Sequence, residues 1–365
     1  MTMKVGILTF HRAHNYGAVL QCYALQEVLH NLGTDAVVIN YKQPFIDNLY
    51  KAKISIKHLA KLVILLKIKA IRKYFHSIST DRKRGKNFEA FRNNFLNCSS
   101  ECKKKNIPQD LDRYIIGSDQ VWGIHCTHDF DATFWGGFER KKDSKLYGYA
   151  ISGNGDYQNF LTQQDIRHYF NLFDDISFRE KKIRDDMERI IGVRKEICLD
   201  PTLLTDEHLW QNLINDKWDK KKYVVIYQIR RLKNRPRLLE ERAKEYAKKH
   251  QCEIVNLTGM NYPVDDFVSA IKYAQCVFTS SFHATVFSVI FGTPFYSYKL
   301  YDGHDDRYES LLKELDLCDH LVDENSNSSE VPIVKDVNSV KKKLDDIKAD
   351  SIAYLKRIIS EDYHD

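Results

Sequence analysis

The chain has 365 residues, of which 43% are hydrophobic and 29% charged, with a formal net charge of +6; this composition is typical of a folded protein of about two domains. It contains no run of about 20 apolar residues, which excludes a membrane-spanning helix. The eight cysteines are scattered without a C-x-x-C pair, so we expect reduced thiols and neither a disulfide framework nor a bound metal.

The first elements in chain order form a strand–helix–strand unit. The apolar run "KVGILTF" is preceded by no signal-peptide cleavage site, which predicts a cytoplasmic protein. "AVLQCYALQEVLHNLG" carries Leu25, Val28 and Leu29 at helical spacing and ends at Gly33, and "DAVVINY" is a second strand. Such a unit predicts a parallel sheet. Its first turn, "HRAHNYG", lacks the G-x-G-x-x-G fingerprint, which argues against ordinary dinucleotide binding.

Residues 51–105 form a strongly basic block with 16 Lys or Arg against 3 Asp or Glu, which leaves about −7 for the rest of the chain. Within it, "KHLAKLVILLKIKAIRKYF" has apolar residues at helical spacing. A solvated helical face, a helix packed on the protein's own core, and a helix on an anionic membrane surface all fit this pattern. No recognition helix or zinc finger accompanies the charge, so we expect no nucleic-acid partner.

Four short apolar runs follow, each ending in a polar turn as parallel strands do at a functional edge: "RYIIGSDQVW", "KLYGYAIS", "DDISFRE" and "EICLDPTLL". After a polar stretch the pattern restarts with the strand "KYVVIYQI", a basic helix around 234–250 and the strand "CEIVNLT". The helix "DDFVSAIKYA" and the strands "CVFTS" and "PFYSYKL" complete this second half, and 338–361 reads as a terminal helix.

These elements predict an α/β protein of two Rossmann-like domains that face each other across an interdomain cleft. We expect an N-terminal domain over 1–204 with the basic helical insertion at about 51–105, and a linker over 205–222. A C-terminal domain would then cover 223–337 and a terminal helix 338–365. Ligands are expected in the cleft, because domain interfaces are favoured pocket sites.

The stretch "TSSFHATVFSVIFGTP" places a histidine at the start of an otherwise apolar helix. Ser280 or Ser281 can act as the N-cap, so His283 falls in the first helical turn. Backbone N–H groups and the helix dipole there favour a phosphate or carboxylate, to which a histidine can donate a hydrogen bond or a proton. The alternative is a histidine that only makes a local hydrogen bond.

Two arginines lie where they can serve an anion site. Arg179 in "ISFRE" follows a strand, where a guanidinium can hold a carboxylate or phosphate with two hydrogen bonds; an ion pair with Glu180 or another acid fits equally. Arg307 in "DDRYESLL" is a further cation near the end of the second sheet.

Polar residues at the ends of the first strands suit the binding of a sugar. "IIGSDQVW" sets hydrogen-bonding side chains beside an aromatic plane, although a structural turn on a buried tryptophan fits too. "HNYGA" opens the first helix and is a second candidate anion site. The residues concerned are Asn15, Tyr16, Gly17, Ser118, Asp119, Gln120 and Trp122.

These motifs occur together in one known family. The order of "GILTFHRAHNYGAVLQCYALQ", "IIGSDQVW", "YAIS", "SFRE", "LDPTLL" and "SSFHATVFSVIFGTPF" resembles the polysaccharide pyruvyl transferase family, from Lys4 to about Leu317. The family's S-F-H-G histidine falls on His283 and its S-x-R-E arginine on Arg179. Two positions differ from the family pattern: Ala284 stands where Gly is usual and is expected to narrow the donor space, and Gly123 stands where Asn is usual.

The resemblance implies a GT-B-like arrangement and transfer of pyruvate from phosphoenolpyruvate onto two sugar hydroxyls, which forms a cyclic ketal. It assigns catalysis to His283 and Arg179. The donor would bind on the C-terminal side, at Ser280, Ser281, Phe282 and Arg307, and the acceptor at the first-domain residues named above. Phosphoenolpyruvate is a co-substrate, and no cofactor is required.

The expected setting is the biosynthesis of a capsule or exopolysaccharide in the cytoplasm. A lipid-linked acceptor would bring the enzyme to the inner membrane face, where residues 51–105 would contact anionic lipid. Two other functions fit the same architecture: a GT-B glycosyltransferase that uses a nucleotide sugar, and a non-catalytic glycan-binding relative.

Overall fold

Two parallel sheets of five strands each are present in the computed structural model, which describes residues 2–51, 68–230, 237–301, 305–323 and 336–360. The first has the order β2-β1-β3-β4-β5 and the second β10-β9-β8-β6-β7. The strands are β1 Lys4–Leu8, β2 Asp35–Val38, β3 Arg113–Asp119, β4 Lys145–Ile151, β5 Asp175–Phe178, β6 Tyr223–Tyr227, β7 Glu253–Asn256, β8 Cys276–Thr279, β9 Phe295–Tyr298 and β10 Leu321–Val322.

Helices connect the strands within each domain and cover the sheets. Every strand pair between neighbours in the two orders is parallel, which confirms the predicted pair of Rossmann-like domains. The helices are α1 Tyr16–Asn31, α2 Pro44–Leu49, α3 Ile68–Phe95, α4 Ile124–Thr127, α5 Gln163–Phe170, α6 Lys181–Ile191, α7 Glu207–Gln211, α8 Leu238–His250, α9 Val264–Lys272, α10 Phe282–Phe291, α11 Asp306–Glu314 and α12 Val337–Ile359.

Helices α1 and α10 meet at the interface between the two domains. Each follows the carboxyl end of an inner strand, α1 after β1 and α10 after β8. Nearly all residues of both helices are buried, which explains why their apolar residues are not confined to one stripe. The cleft therefore forms where the carboxyl ends of the two sheets face each other, in the GT-B-like manner expected.

Two segments differ from the sequence-based expectation. "EICLDPTLL" forms only a single bridge, from Ile197 to Phe178, because Asp200 caps a short 3-10 turn that starts at Pro201. The polar stretch 205–222 contains α7, and it buries Trp210 and Trp218. Such packing holds this connection against the second domain instead of leaving it exposed.

The terminal helix α12 begins at Val337, one residue before the expected position, and returns to the first domain. The hydroxyl of Tyr354 donates to the carbonyl oxygen of Gly148 at 2.9 Å. The hydroxyl oxygen of Ser351 accepts from the backbone N–H of Leu199 at 2.9 Å. Because Lys343 of the same helix pairs with Asp316 of the second domain, the last described helix joins the two domains.

Most of the described part of the basic block is helical, in α3, and the residues that follow form bridges to the first domain at Cys98 and Cys102. Ile78, Phe88 and Phe91 bury one side of this helix against the protein, and most of its other residues remain accessible. The run Leu62–Leu66 and Lys57, Lys61 and Lys67 lie outside the described residues. Among the described helices, none is long and apolar enough to cross a membrane. Contact of α3 with anionic lipid stays a prediction, which co-sedimentation with liposomes of rising anionic content would measure.

Candidate active site

A cavity of about 340 Å³ lies between the domains at the carboxyl ends of both sheets. The first domain contributes residues that follow β1 and β3, and the second contributes residues that follow β6, β8 and β9. The polar and charged side chains on its wall are Asn15, Asp119, Gln120, His125, Arg230, Ser280, His283, Asp305 and Arg307. Apolar and aromatic side chains line the rest, among them Phe45, Ile46 and Leu49 of α2 and Tyr50 at its end.

His283 lies in the first turn of α10, as the sequence predicts. Ser281 is the N-cap, and its hydroxyl oxygen accepts from the backbone N–H of Ala284 at 3.4 Å. The side chain of His283 is 9% exposed, and its Nε2 lies 3.5 Å from Oδ2 of Asp200. A histidine of the second domain is thereby held against a carboxylate of the segment that leads out of the first.

The N-terminal turn of α1 packs against the imidazole of His283 through Gly17. A Cβ atom added to Gly17 would stand 2.0 Å from Nδ1 of His283. Only glycine leaves room for the ring here, because any side chain would overlap it. Asn15 caps the same helix end, where its side-chain oxygen accepts from the N–H groups of Gly17 and Ala18 at 2.9 and 3.3 Å.

Arg179 is buried among acidic and hydroxyl partners. Its Nη1 donates to Asp200 at 2.7 Å, its Nε to Glu180 at 3.0 Å and its Nη2 to Ser152 at 3.0 Å. Burial alone would lower the pKa of the guanidinium, but the carboxylates of Glu180 and Asp200 outweigh burial and raise it. The ion-pair alternative left open by the sequence is therefore realised.

Asp200 joins Arg179 to His283 and is itself fully buried. Burial alone would raise its pKa, but the neighbouring charges of His283 and Arg179 together lower it well below the ordinary range. Asp200 is therefore a carboxylate at neutral pH. Its other oxygen accepts from Thr202, at 3.1 Å from the backbone N–H and 2.7 Å from the hydroxyl, which fixes its orientation.

Phe282 separates the main cavity from a second one of about 250 Å³. The guanidinium carbons of Arg179 and Arg307 lie 5.4 and 6.0 Å from the centre of its ring, within the range of cation–π attraction. Phe282 and Arg307 line both cavities, whereas Arg179 and Asp200 line only the second. Burial and the neighbouring Arg179 lower the pKa of Arg307.

Several of the residues expected to hold the acceptor do not reach the cavity. Ser118 is fully buried and donates to the carbonyl oxygen of Ala150 at 3.1 Å. Trp122 stacks on Trp135 at 3.9 Å in the core, and Tyr16 donates to the carbonyl oxygen of Tyr262 at 2.9 Å. These three side chains are buried beneath the cavity wall. Asn15, Asp119 and Gln120 line the wall itself. Ala284 is buried in the core and does not narrow the cavity.

Three polar residues of this region were not singled out from the sequence. Asp200 lies in the quoted motif "LDPTLL", and the signal that could have marked it is an acidic residue directly before Pro201 at the end of an apolar run. Arg230 follows β6 as Arg179 follows β5, so the rule that strand ends gather polar groups would have found it. His125 lies near the end of β3. Across the described ranges, no group of three or more His, Cys, Asp or Glu side chains is placed to hold a metal ion.

The family model named Polysaccharide pyruvyl transferase matches residues 15–299, most of the chain. The chain belongs to the polysaccharide pyruvyl transferase family. The matched range runs from the N-cap of α1 to just beyond β9, so it contains all of the cavity wall except Leu300, Asp305, Arg307, Tyr308 and the early residues Phe10 and Ala13. The polar contacts of His283, Arg179 and Asp200 all fall inside the part that defines this transferase family.

The solved structures that match this structure have low sequence identity to the chain. A protein described as a UDP-N-acetylglucosamine 2-epimerase from Listeria monocytogenes is 12% identical, with 99% of this chain and 92% of that chain covered and a TM-score of 0.45. The UDP-N-acetylglucosamine 2-epimerase of Rickettsia bellii is 10% identical, with 98% and 99% covered and a TM-score of 0.40. The heptosyltransferase of E. coli is 12% identical, with 94% and 99% covered and a TM-score of 0.35. No curated protein matches the sequence.

Proposed function

We propose that this family member transfers pyruvate from phosphoenolpyruvate onto two hydroxyls of a sugar in a cell-surface polysaccharide precursor. The products are a cyclic ketal and inorganic phosphate. The observation that carries the proposal is the placement of His283, in the first turn of α10, on the wall of a cavity that Arg230 and Arg307 also line.

The charge of this wall suits the proposed donor. Phosphoenolpyruvate carries a phosphate and a carboxylate, and both are bound well by guanidinium groups and by the N-terminal turn of a helix. Arg307 and Arg230 supply the guanidinium groups, and α10 supplies the helix end. We therefore propose the second domain as the donor side, with Ser280, Phe282 and Arg307 among the residues that contact the donor.

The proposed reaction has two stages. His283 donates a proton to the methylene carbon C3 of phosphoenolpyruvate, which becomes a methyl group and leaves an oxocarbenium centre at C2. A first sugar hydroxyl attacks C2 and loses its proton; the C2–O bond to phosphate then breaks, and the phosphate keeps the electron pair. A second hydroxyl attacks the same carbon and closes the ring. Of the two hydroxyl protons, one replaces the proton spent on C3 and the other leaves with phosphate.

Asp200 and Arg179 act in this proposal by holding His283. The carboxylate of Asp200, 3.5 Å from Nε2, fixes the plane of the imidazole, and Arg179 fixes the carboxylate through its own hydrogen bond of 2.7 Å. Preorganised groups of this kind need no reorganisation when charge develops at the substrate. Arg179 is accordingly a positioning residue in this scheme, and it does not grip the donor directly.

Calorimetric titration of phosphoenolpyruvate into the protein tests the donor assignment, with UDP-glucose as the control ligand. Saturable binding of phosphoenolpyruvate alone is the expected result, because the wall offers cations and a helix N-terminus to an anion. If UDP-glucose binds and phosphoenolpyruvate does not, the proposal is overturned and glycosyl transfer is favoured. Turnover is then followed as phosphate released from phosphoenolpyruvate in the presence of p-nitrophenyl hexopyranosides with neighbouring or 4,6-paired hydroxyls.

Gly17→Ala is expected to lower this turnover by about 10²-fold, the usual cost of displacing a catalytic group by about 1 Å. The added Cβ would overlap Nδ1 of His283, at 2.0 Å, and push the ring from its position beside Asp200. The helix itself should not suffer, because alanine is the better helix former. The matched control is Gly85→Ala within α3, where the nearest atom to an added Cβ is at 3.5 Å. Equal turnover of Gly17→Ala and Gly85→Ala would show that the close approach of Gly17 to His283 does not matter for turnover.

A further inference from the structure

The first-domain wall of the cavity carries a connected chain of three side chains that the proposed donor chemistry does not use. Nδ1 of His125 lies 3.0 Å from Oδ2 of Asp156, and its Nε2 lies 3.3 Å from Sγ of Cys126. His125 and Cys126 both line the cavity, and the side chain of His125 is 41% exposed. Both ring nitrogens of His125 thus have a neighbour, the carboxylate of Asp156 at Nδ1 and the thiol of Cys126 at Nε2.

The carboxylate of Asp156 accepts hydrogen bonds from the first turn of α4. Its two oxygens accept from the backbone N–H groups of Ile124 and His125, each at 2.9 Å, in addition to the imidazole. Burial acts to raise the pKa of Asp156, but these hydrogen bonds outweigh it and lower the pKa below the ordinary range. A carboxylate can only accept, so Nδ1 of His125 must be the donor. The neutral ring then carries its lone pair on Nε2.

The thiol of Cys126 occupies the position from which a hydroxyl would meet this lone pair. Burial raises the pKa of the thiol to about 12, so it stays protonated and is a poor nucleophile. Its sulfur lies 3.3 Å from Nε2 of His125 and 3.8 Å from the side-chain oxygen of Gln120. The S–H group is a weak donor, which a sugar hydroxyl in the cavity can replace with a stronger hydrogen bond.

Gly123 makes the position of the His125 ring available. A Cβ atom at this residue would stand 2.8 Å from Cε1 of His125 and 3.2 Å from the carbonyl oxygen of Gln120. Any side chain at 123 would therefore displace the imidazole. This gives a physical reason for glycine at this position.

We propose that His125 is the general base of the acceptor side and that Asp156 is its positioning residue. The inference rests on the proposed function, since it concerns the sugar hydroxyl that attacks C2. In that step the O–H bond of the hydroxyl breaks and its proton passes to Nε2 of His125, while the oxygen electron pair forms the new bond to C2. The two histidines then work from opposite domains: His283 delivers a proton to the donor, and His125 removes one from the acceptor.

The test compares His125→Ala and His125→Gln with the wild type in the phosphate-release assay with p-nitrophenyl hexopyranosides. We expect wild-type release to be stimulated by at least one glycoside, and His125→Ala to lower that stimulated rate by about 10²–10⁴-fold. Added imidazole should restore part of the rate to His125→Ala. The affinity for phosphoenolpyruvate should remain that of the wild type. His168→Ala, an exposed histidine on α5 away from the cavity, is the matched control.

The failures of the two proposals are distinguishable. An active wild type with an equally active His125→Ala variant would overturn the role of His125 alone. So would full activity in His125→Gln, because glutamine can keep a hydrogen bond but cannot take a proton; the role would then be structural. A His125→Ala loss that imidazole does not relieve would also count against a base. A wild type that fails to bind phosphoenolpyruvate, or binds it and is stimulated by none of the glycosides, would contradict the proposed function and this inference with it.

Discussion

Replacing His283 with alanine is expected to lower the turnover of phosphoenolpyruvate by about 10²–10⁴-fold, the usual contribution of one general acid. The variant would lose the proton donor at the cavity wall, while Arg230, Arg307 and the N-terminus of α10 would still attract the donor. We therefore expect a large fall in kcat and a much smaller change in the affinity for phosphoenolpyruvate. Phosphate release and calorimetry on the same preparation measure the two quantities separately.

The fold should survive this substitution. The N-cap of α10 is Ser281, which remains in place, and alanine has a higher helix propensity than histidine. The matched control is His250→Ala, which removes an exposed imidazole at the end of α8, remote from the cavity. A folded His283→Ala variant with wild-type turnover would remove the acid from the proposal. A loss that appears only in donor affinity would make His283 a phosphate ligand instead.

Much of the architecture could be predicted because it follows from local patterns. The strands β1, β6 and β8 are continuous apolar runs, and buried parallel strands read that way. The start of α10 is marked by two serines before an apolar run, and the structure confirms Ser281 as its cap. Since parallel strands end at one edge of a sheet, the positions of Asp119 and Ser280 on the cavity wall follow from the same reasoning.

The side-chain partners could not be predicted because they join distant parts of the chain. Asp200 is 21 residues from Arg179, and it meets His283 only when the two domains pack together. Similarly, a turn such as "SDQVW" does not reveal which of its side chains point outward. Trp122 points into the core, where it stacks on Trp135, while Gln120 faces the cavity. Patterns of residue type fix the elements, but rotamers and domain packing decide which polar groups meet.

The burial of Asp200 links the stability of the molecule to the site. Its side chain has no exposed surface, and that of Arg179 is only 4% exposed. Two charges so deeply buried are tolerated only as partners, because each alone would lack compensation for the water it has lost. The same carboxylate that orients His283 is thus required by the arginine behind it, so changes at this position should affect both folding and turnover.

Asp200→Ala is expected to lower the free energy of unfolding by about 3–5 kcal/mol, the usual cost of removing one partner of a buried ion pair. Glu180 would remain 3.0 Å from Nε of Arg179, which places the expected value toward the lower end of this range. Denaturant titration followed by circular dichroism measures the change. The control is Asp110→Ala, which breaks an exposed pair with Lys4 at 3.3 Å and should change stability by about 0–1 kcal/mol.

The pH dependence of the difference in unfolding free energy between the wild type and Asp200→Ala gives a second check. Because the pKa of Asp200 is lowered in the folded protein, its contribution is fully present above the ordinary aspartate pKa, about 3.9, and decreases as the pH falls below it. The stability gap between the wild type and Asp200→Ala should therefore narrow as the pH falls below about 4. A gap as small as that of Asp110→Ala at pH 7, or one that widens below about pH 4, would show that Asp200 is not the charged partner of Arg179 and His283.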